Sequence, residues 1–547
     1  MADTKAKQVI AHFDREFAKQ ANTRNLWQRT ADVMWPHAQI NTTFTPGTDR
    51  MKEILDTTPM LDMLDMVSGF KQVLMPSGQT FFVVKAEGGS VQNGPAQRYL
   101  SMLTEVSHER IFASNLSLKM DDVLISLITF GPGGIFTEWK KQTGLNYKTP
   151  KIGSYILIED SSENVIGSIH RFKISAKEAY ETYGEKAGAE VVKAAKSEDK
   201  AYDDFWFLYK VVPNKDVDPL LSSKLKQNMP YSATVVSIKD KCTVDEGGFL
   251  ENPYSFARWM RPEYEKDGRG IGTEMLPQIK ILFQMTKDFR DCGNRWNHPP
   301  RQALVDSVEG VVDARPDALN WVQQIDAIRT LDPNINGNFP ISEKTLGYQT
   351  DIIDRAFFKN AFAPLEDLKG DRRTTLEIQE RIRGTLKKLG PPVGRIWYEL
   401  LTHTIERSIL ELIRNHEVPA PPDELSGKNF GIEYVGPLAL ALKSEQARGM
   451  QEWLNFVSGA HAAFPEQHID DNVDFDDAIP RIGLTFGVNV EDISTPEERD
   501  AKRAARAQKQ QAQEQLIAAQ AGAKAYKDGS KSAEEGSPAE ALMQQAG

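Results

Sequence analysis

The sequence predicts an α+β chain that is mainly helical, and three observations carry that prediction. Apolar residues recur at the helical period over long stretches, as with Met275, Ile279, Leu282, Thr286 and Phe289 between Thr273 and Asn297. Between Ile135 and Cys242 the pattern shortens to strand-like runs, among them Tyr155-Ile156-Leu157-Ile158, Phe205 to Val212 and Ala233 to Ile238. The composition, 40% hydrophobic and 26% charged, is that of a globular protein. At 547 residues the chain has room for roughly three or four folding units.

Taken in order, Ile10, Phe13 and Phe17, then Leu26, Trp27, Thr30 and Met34, predict an amphipathic helix or helix pair that Trp35-Pro36 breaks. Met60, Leu64, Val67 and Leu74 predict a second helix, ended by Pro76-Ser77-Gly78 and followed by a strand over Thr80–Val84. Helices run from Ala96 to Thr129 with an interruption near Ser114, and Gly131-Pro132-Gly133-Gly134 closes them. Within the strand-rich section the charged stretch Ala176–Glu198 reads as a helix inserted on the surface. The helix Thr273–Asn297 stops at His298-Pro299-Pro300. Arg301–Pro340 is then a compact non-helical excursion with short strands at Ala303-Leu304-Val305 and Gly310-Val311-Val312.

Helix returns at Ser342, a candidate N-cap, and continues to Phe362. After the Pro364–Arg373 loop, Thr374 and Glu377 form a capping box that opens a helix through Leu389. Gly390-Pro391-Pro392 must bend or break that helix, which resumes through Ile396, Leu400, Ile405, Ile409 and Ile413 to the prolines at 419–422. Beyond Pro437 the helices are polar. Thr495-Pro496-Glu497-Glu498 is a strong start signal for a helix to Lys527 with little apolar face, which must be solvated or held by neighbouring subunits. The Gly, Ser, Pro and Glu content of Asp528–Gly547 predicts disorder.

The net charge of −11 disfavours a sequence-specific DNA-binding face, which is normally basic. It permits a passage in which an acidic wall repels phosphate and a few basic residues guide the backbone. No run approaches the ~18 apolar residues of a membrane span, and Met1-Ala2-Asp3-Thr4-Lys5 is followed by no apolar signal region, so the expectation is a protein that stays in a cytoplasm. Cys242 and Cys292 fit a reducing compartment as buried thiols.

The sequence carries no motif of enzymatic chemistry. Gly268-Arg269-Gly270-Ile271-Gly272 is not GxGxxG, no lysine with Ser/Thr follows, and turn glycines are the better reading. Asp470, Asn472 and Asp474 begin like a calcium loop, but Phe475 and Arg481 stand where glycine and glutamate are required. There is no HExxH, no paired Cys/His spacing and no GxSxG, and the pairs Asp121-Asp122 and Asp203-Asp204 read as solvated faces. No catalytic residue, metal site or cofactor is expected.

The most specific stretch is Asn252-Pro253-Tyr254-Ser255-Phe256-Ala257-Arg258-Trp259, then Gly268 to Gly272, then Met275-Leu276-Pro277-Gln278-Ile279-Lys280. It resembles the head-to-tail connecting (portal) proteins of short-tailed bacteriophages. Thr374 to Arg381 followed by Leu389-Gly390-Pro391-Pro392-Val393-Gly394-Arg395 looks like that family's long wing helix with its glycine-proline bend. The resemblance implies a portal fold of wing, stem, clip and crown regions that assembles as a ring, normally of about twelve subunits, around an axial channel for double-stranded DNA. On that pattern residues 1–272 are the wing, 273–298 and 341–362 the stem helices, and 299–340 the clip. Residues 363–436 are the tunnel loop and bent wing helix, 437–527 the crown and 528–547 a disordered tail.

The implied partners are other copies of the chain, DNA bound without sequence preference, the terminase large subunit, a tail adaptor protein, and the major capsid and scaffolding proteins; no membrane is among them. Lys369, Arg372 and Arg373 beside Gly370 become the DNA-facing tunnel loop, against the plain alternative of a solvated surface loop. Arg290, Arg295 and Arg301 become channel or stem–clip charges, against macrodipole or salt-bridge roles. One physical argument is independent of the resemblance: two amphipathic helices flanking a small β unit cannot cover both their faces alone, so copies arranged around an axis supply the cover. The rival functions are another virion structural protein, such as an adaptor or internal core protein, and a DNA-packaging ATPase or nuclease, which needs a Walker lysine or a clustered acidic site.

Overall fold

A computed structural model describes residues 3–41, 45, 47–76, 78–86, 94–214, 229–298, 301–305, 308, 311–313, 320–324, 326–330, 339–359, 390–422, 425, 430–435, 453, 455–459 and 496–529. The chain divides into two compact units, Met1–Ala441 and Leu442–Gly547. The fold is α+β.

In the first unit the N-terminal apolar pattern resolves into a helix pair, α1 (Thr4–Lys19) and α2 (Ala21–Met34). Asp3 caps α1 by accepting from the Lys5 and Ala6 backbone N–H groups. Then follow α3 (Thr58–Leu74), β1 (Phe82–Ala86), α4 (Gly94–Ala113) and α5 (Leu116–Thr129), with the break near Ser114 as predicted. β1 begins at Phe82, two residues after the expected start at Thr80, and the fully buried Phe81 precedes the ladder.

The β section comprises β2 (Pro132–Lys140), β3 (Gly144–Lys148), β4 (Tyr155–Glu159), β5 (Val165–Ser175), β6 (Asp204–Pro213), β7 (Tyr231–Ser237), β8 (Cys242–Phe249) and β9 (Tyr254–Arg258), with α6 (Ala176–Tyr183) and α7 (Ala189–Ala195) between β5 and β6. β4 to β8 form a five-stranded sheet in chain order, and β3-β2-β9 a three-stranded one. The ladders are antiparallel.

The glycine cluster closes α5 at Thr129 as expected, and Gly133 and Gly134 go on to lie inside β2, where Gly134 pairs with Phe256 and a Cβ would come within 2.3 Å of that ring. Ala176–Glu198 is inserted between β5 and β6 with its charged side exposed, as expected, but it is not one helix. Gly184 (φ +61°) and Gly188 (φ +112°) break it, and Ala176, Ala179, Val191 and Val192 form a core with Phe207, Val235 and Val244. A count of charges does not reveal this apolar inner face.

Next come α8 (Ile271–Asn297), the antiparallel pair β10 (Arg301–Ala303) and β11 (Ile328–Thr330), and α9 (Phe339–Ala356). Val311 and Val312 lie outside any strand, contrary to expectation, while Val308 makes an isolated bridge to Val322. Ser342 is inside α9 rather than its cap, since Pro340 fits the first turn, where its missing N–H is not needed. α9 stops at Ala356 rather than Phe362: Phe357 N–H still donates to Ile353 O, but Phe358 adopts φ +55°, which no helix continues through.

The helices Gly390–Ile396 and Thr402–Arg414 are joined by a π turn, Trp397–Leu401. A further strand, β12 (Phe430–Tyr434), pairs antiparallel with β1, so the stretch expected to hold only loop and bent helix also contains a strand. The main core joins α3, α5, α8, α9 and these later helices through Phe70, Leu127, Trp259, Ile279, Phe357 and Leu400. In the second unit Pro496–Gly529 is one helix of 34 residues, two residues longer than expected, and between Asp500 and Gln513 each side chain is exposed.

Candidate functional site

α8 has 27 residues and is therefore about 40 Å long, yet it packs along only part of that length. Leu276, Ile279, Leu282 and Thr286 are buried, whereas none of the described side chains from Lys287 to Asn297 is. α9 mirrors this, with no buried side chain from Glu343 to Tyr348 and then Gln349, Ile353 and Phe357 in the core. The Gln349 amide donates to Gln278 O (3.1 Å) and Oε1 (2.8 Å), tying the two helices, and Thr286 Oγ1 donates to Asp56 (3.1 Å). A helix–ribbon–helix element thus leaves the core with its outer turns bare. Near its β10–β11 end Leu304, Val305, Val311 (95% exposed) and Trp321 (68% exposed) face solvent.

The base of that element is tied by a buried acid and a lysine. Asp62 on α3 is fully buried, with Lys359 Nζ 2.9 Å from it and 3.4 Å from Asp354. Burial and the adjoining Asp354 carboxyl push the Asp62 acid up to about 7. Lys359 is the last described residue before position 390, so the latch holds the chain where it enters the expected tunnel-loop region.

On the far side of that region a second cluster holds the chain. Arg258, 3% exposed on β9, donates from Nη1 to Glu159 (2.5 Å) and from Nη2 to Glu399 (3.1 Å) and to Glu163 O (3.1 Å). Its backbone N–H donates to Glu399 Oε2 (3.0 Å). Glu399 sits in the π turn, whose extra residue turns this carboxylate toward β9. Trp397 of the same turn stacks on Tyr434 at 4.9 Å, and Arg407 donates to Thr137 O (3.1 Å). The glycine run before α8 is also structural: a Cβ on Gly270 would lie 2.5 Å from Ile128 O, and one on Gly272 2.7 Å from Thr129 O. That backbone is packed on the end of α5.

Of the residues singled out by sequence, Arg290, Arg295 and Arg301 are exposed on the outer turns of α8 and on β10, with no ion pair among the described residues. Lys369, Arg372 and Arg373, the capping box Thr374/Glu377, and Asp470 to Arg481 lie outside the described residues. Asp121 and Asp122 are paired with Lys71 (2.7 Å) and Lys119 (2.9 Å), and Asp204 with Lys173 (2.6 Å). Among the described residues no group of three or more His, Cys, Asp or Glu could hold a metal ion, and no helix is long and apolar enough to cross a membrane. Cys242 and Cys292 are partly exposed free thiols, not the buried ones expected. Sequence reasoning missed Asp62, Lys359, Arg258 and Glu399; only Arg258 lay in a motif already singled out.

Residues 5–493 match the family described as bacteriophage head to tail connecting protein. The chain belongs to that family. Within it, the sequence is similar to the portal protein of Salmonella phage epsilon15, with 24% identity over 547 residues covering 96% of both chains. It is also similar to a protein named "Probable portal protein" from Bordetella phage BPP-1, with 20% identity over 533 residues covering 95% of this chain and 94% of the other. The head-to-tail connecting family is structural rather than catalytic. Its match ends at residue 493, just before the helix Pro496–Gly529.

Proposed function

We propose that this chain is the portal subunit of a short-tailed bacteriophage, a ring of about twelve copies at one capsid vertex that conducts double-stranded DNA during packaging and ejection. The observation that carries the reading is the family match over residues 5–493. The bare outer turns of α8 and α9 support it, because helices with this pattern are covered when copies stand side by side around an axis. On this reading residues 1–272 are the wing, 273–298 and 341–362 the stem, 299–340 the clip, 363–436 the tunnel loop and bent helix, 437–527 the crown and 528–547 the tail. The clip docks the terminase large subunit during filling and a tail adaptor afterwards, and the wing meets the major capsid and scaffolding proteins. Lys369, Arg372 and Arg373 face the DNA backbone, and Arg290, Arg295 and Arg301 line the channel near the stem–clip junction, contacts that track phosphate without reading bases.

Negative-stain microscopy of the purified full chain, with mass determination on the same sample, tests the assembly. Rings of about a dozen subunits with an open centre are expected. A compact monomer under all conditions, including high protein concentration, would sink the reading.

A further inference from the structure

α1 lies across one face of the five-stranded sheet. Along one side of the helix the contact is apolar, with Val9 and Phe13 against Ile169, Leu208 and Val236. Beside it, along the same turns, opens a cleft of 330 Å³ in which the chemistry changes. Lys5, Gln8 and His12 follow one another on the helix at three- and four-residue steps and so share a face. Opposite them the sheet supplies Lys210 of β6, its cross-strand partner Thr234 of β7, and Ser232 two residues away on the same face of β7.

The charges in this cleft are not balanced. Lys5 is held by Glu246 of β8 at 2.6 Å. Glu16, one turn beyond His12 on the helix, is taken by Lys19 (2.7 Å), Lys266 (3.2 Å) and Arg15 (3.5 Å). Lys210 is half-buried and has no carboxylate partner among the described residues. Burial and then Lys5 lower the Lys210 ammonium, while burial and then Lys210 lower the His12 imidazole. In a chain of net charge −11, which has carboxylates to spare, cations that disfavour one another around a polar cleft form a place for an anion.

We propose that the cleft between α1 and strands β6 and β7 binds a phosphate group, with Lys210 supplying charge and the His12 ring N–H and the Ser232 and Thr234 hydroxyls supplying neutral donors. The volume exceeds that of a bare phosphate and leaves room for an ester substituent. The site is independent of the portal reading, since it uses neither the channel nor the ring.

The test is thermal unfolding and calorimetric titration of the full chain at pH 7 and constant ionic strength, with chloride exchanged for inorganic phosphate, and in a second arm with a deoxynucleoside monophosphate. The unfolding midpoint should rise saturably with phosphate and not with chloride, as binding to the native state requires. Lys210→Met, which removes the charge and keeps the stem, should fold without phosphate and lose at least ~10-fold in affinity, as removal of a charge-assisted contact predicts. Should that variant fail to fold, Lys210→Gln, which also removes the charge and keeps a polar stem end, replaces it, with the same expected loss. Tighter binding of the nucleotide marks an esterified phosphate as the ligand, and equal binding marks free phosphate. Equal responses to phosphate and chloride, or an unchanged phosphate response in the variant, overturn the proposal.

Discussion

Replacing Arg258 by methionine removes the donors that hold two carboxylates while leaving the volume of the site nearly filled. The side chains of Arg258, Glu159 and Glu399 are 4%, 10% and 17% exposed, so solvent screens this cluster little. Removing one member of such a pair typically costs about 3–5 kcal/mol, because the remaining charge stays buried without a partner. Partial compensation is visible: Arg261 lies 3.5 Å from Glu159, Arg395 lies 3.8 Å from Glu399, and the Arg258 N–H still donates to Glu399 in the variant. The expected loss therefore sits near the lower end, about 3 kcal/mol. Adding Glu399→Gln removes the stranded charge, so the double variant should lose less than the sum of the singles by about 1–2 kcal/mol.

Urea unfolding followed by tryptophan fluorescence measures both quantities, since Trp259 follows Arg258 and Trp397 lies in the π turn with Glu399. Urea is preferred to guanidinium, which screens ion pairs. A single-variant loss below about 1 kcal/mol, or strict additivity, would refute the claim that Arg258 clamps the π turn to β9.

Asp62 gives a pH prediction. Its folded acid, near 7, lies above its ordinary value of 3.8, so the native state keeps a proton that the unfolded chain releases between those pH values. Its contribution to stability therefore falls as pH rises from about 4 to about 7, and Asp62→Asn should gain on the wild type over that window by up to about 1.4 kcal/mol per pH unit; parallel stability–pH curves would contradict this. Gly134→Ala should destabilise by about 1–3 kcal/mol, because its Cβ meets the buried Phe256 ring, and Phe256→Leu in the same chain should recover part of the loss in thermal unfolding. Replacing Lys369, Arg372 and Arg373 together by alanine should leave rings intact in microscopy yet lower the DNA packaged per head; normal genome filling would count against a DNA role for these residues.

The long α8, the β excursion and α9 were legible because each departs from its neighbours in period, and prolines punctuate them at 299, 300 and 340. β12 was missed although Phe430, Ile432 and Tyr434 alternate, because five residues among helical signals carry little weight without their partner β1. The split of Ala176–Glu198 was missed because Gly184 and Gly188 act through positive φ, a backbone property that composition averages away.

What the sequence determined by itself was the longer elements and the resemblance that named the family, since both depend on local periodicity and short motifs. What only tertiary structure decided was which charges matter. Asp62 and Lys359 are separated by most of the first unit, as are Arg258 and Glu399 by the whole helix–ribbon–helix element. In sequence each is one ordinary charge among many. A charge acquires its consequence when packing removes water from it and brings a partner within reach, and that depends on how distant segments meet.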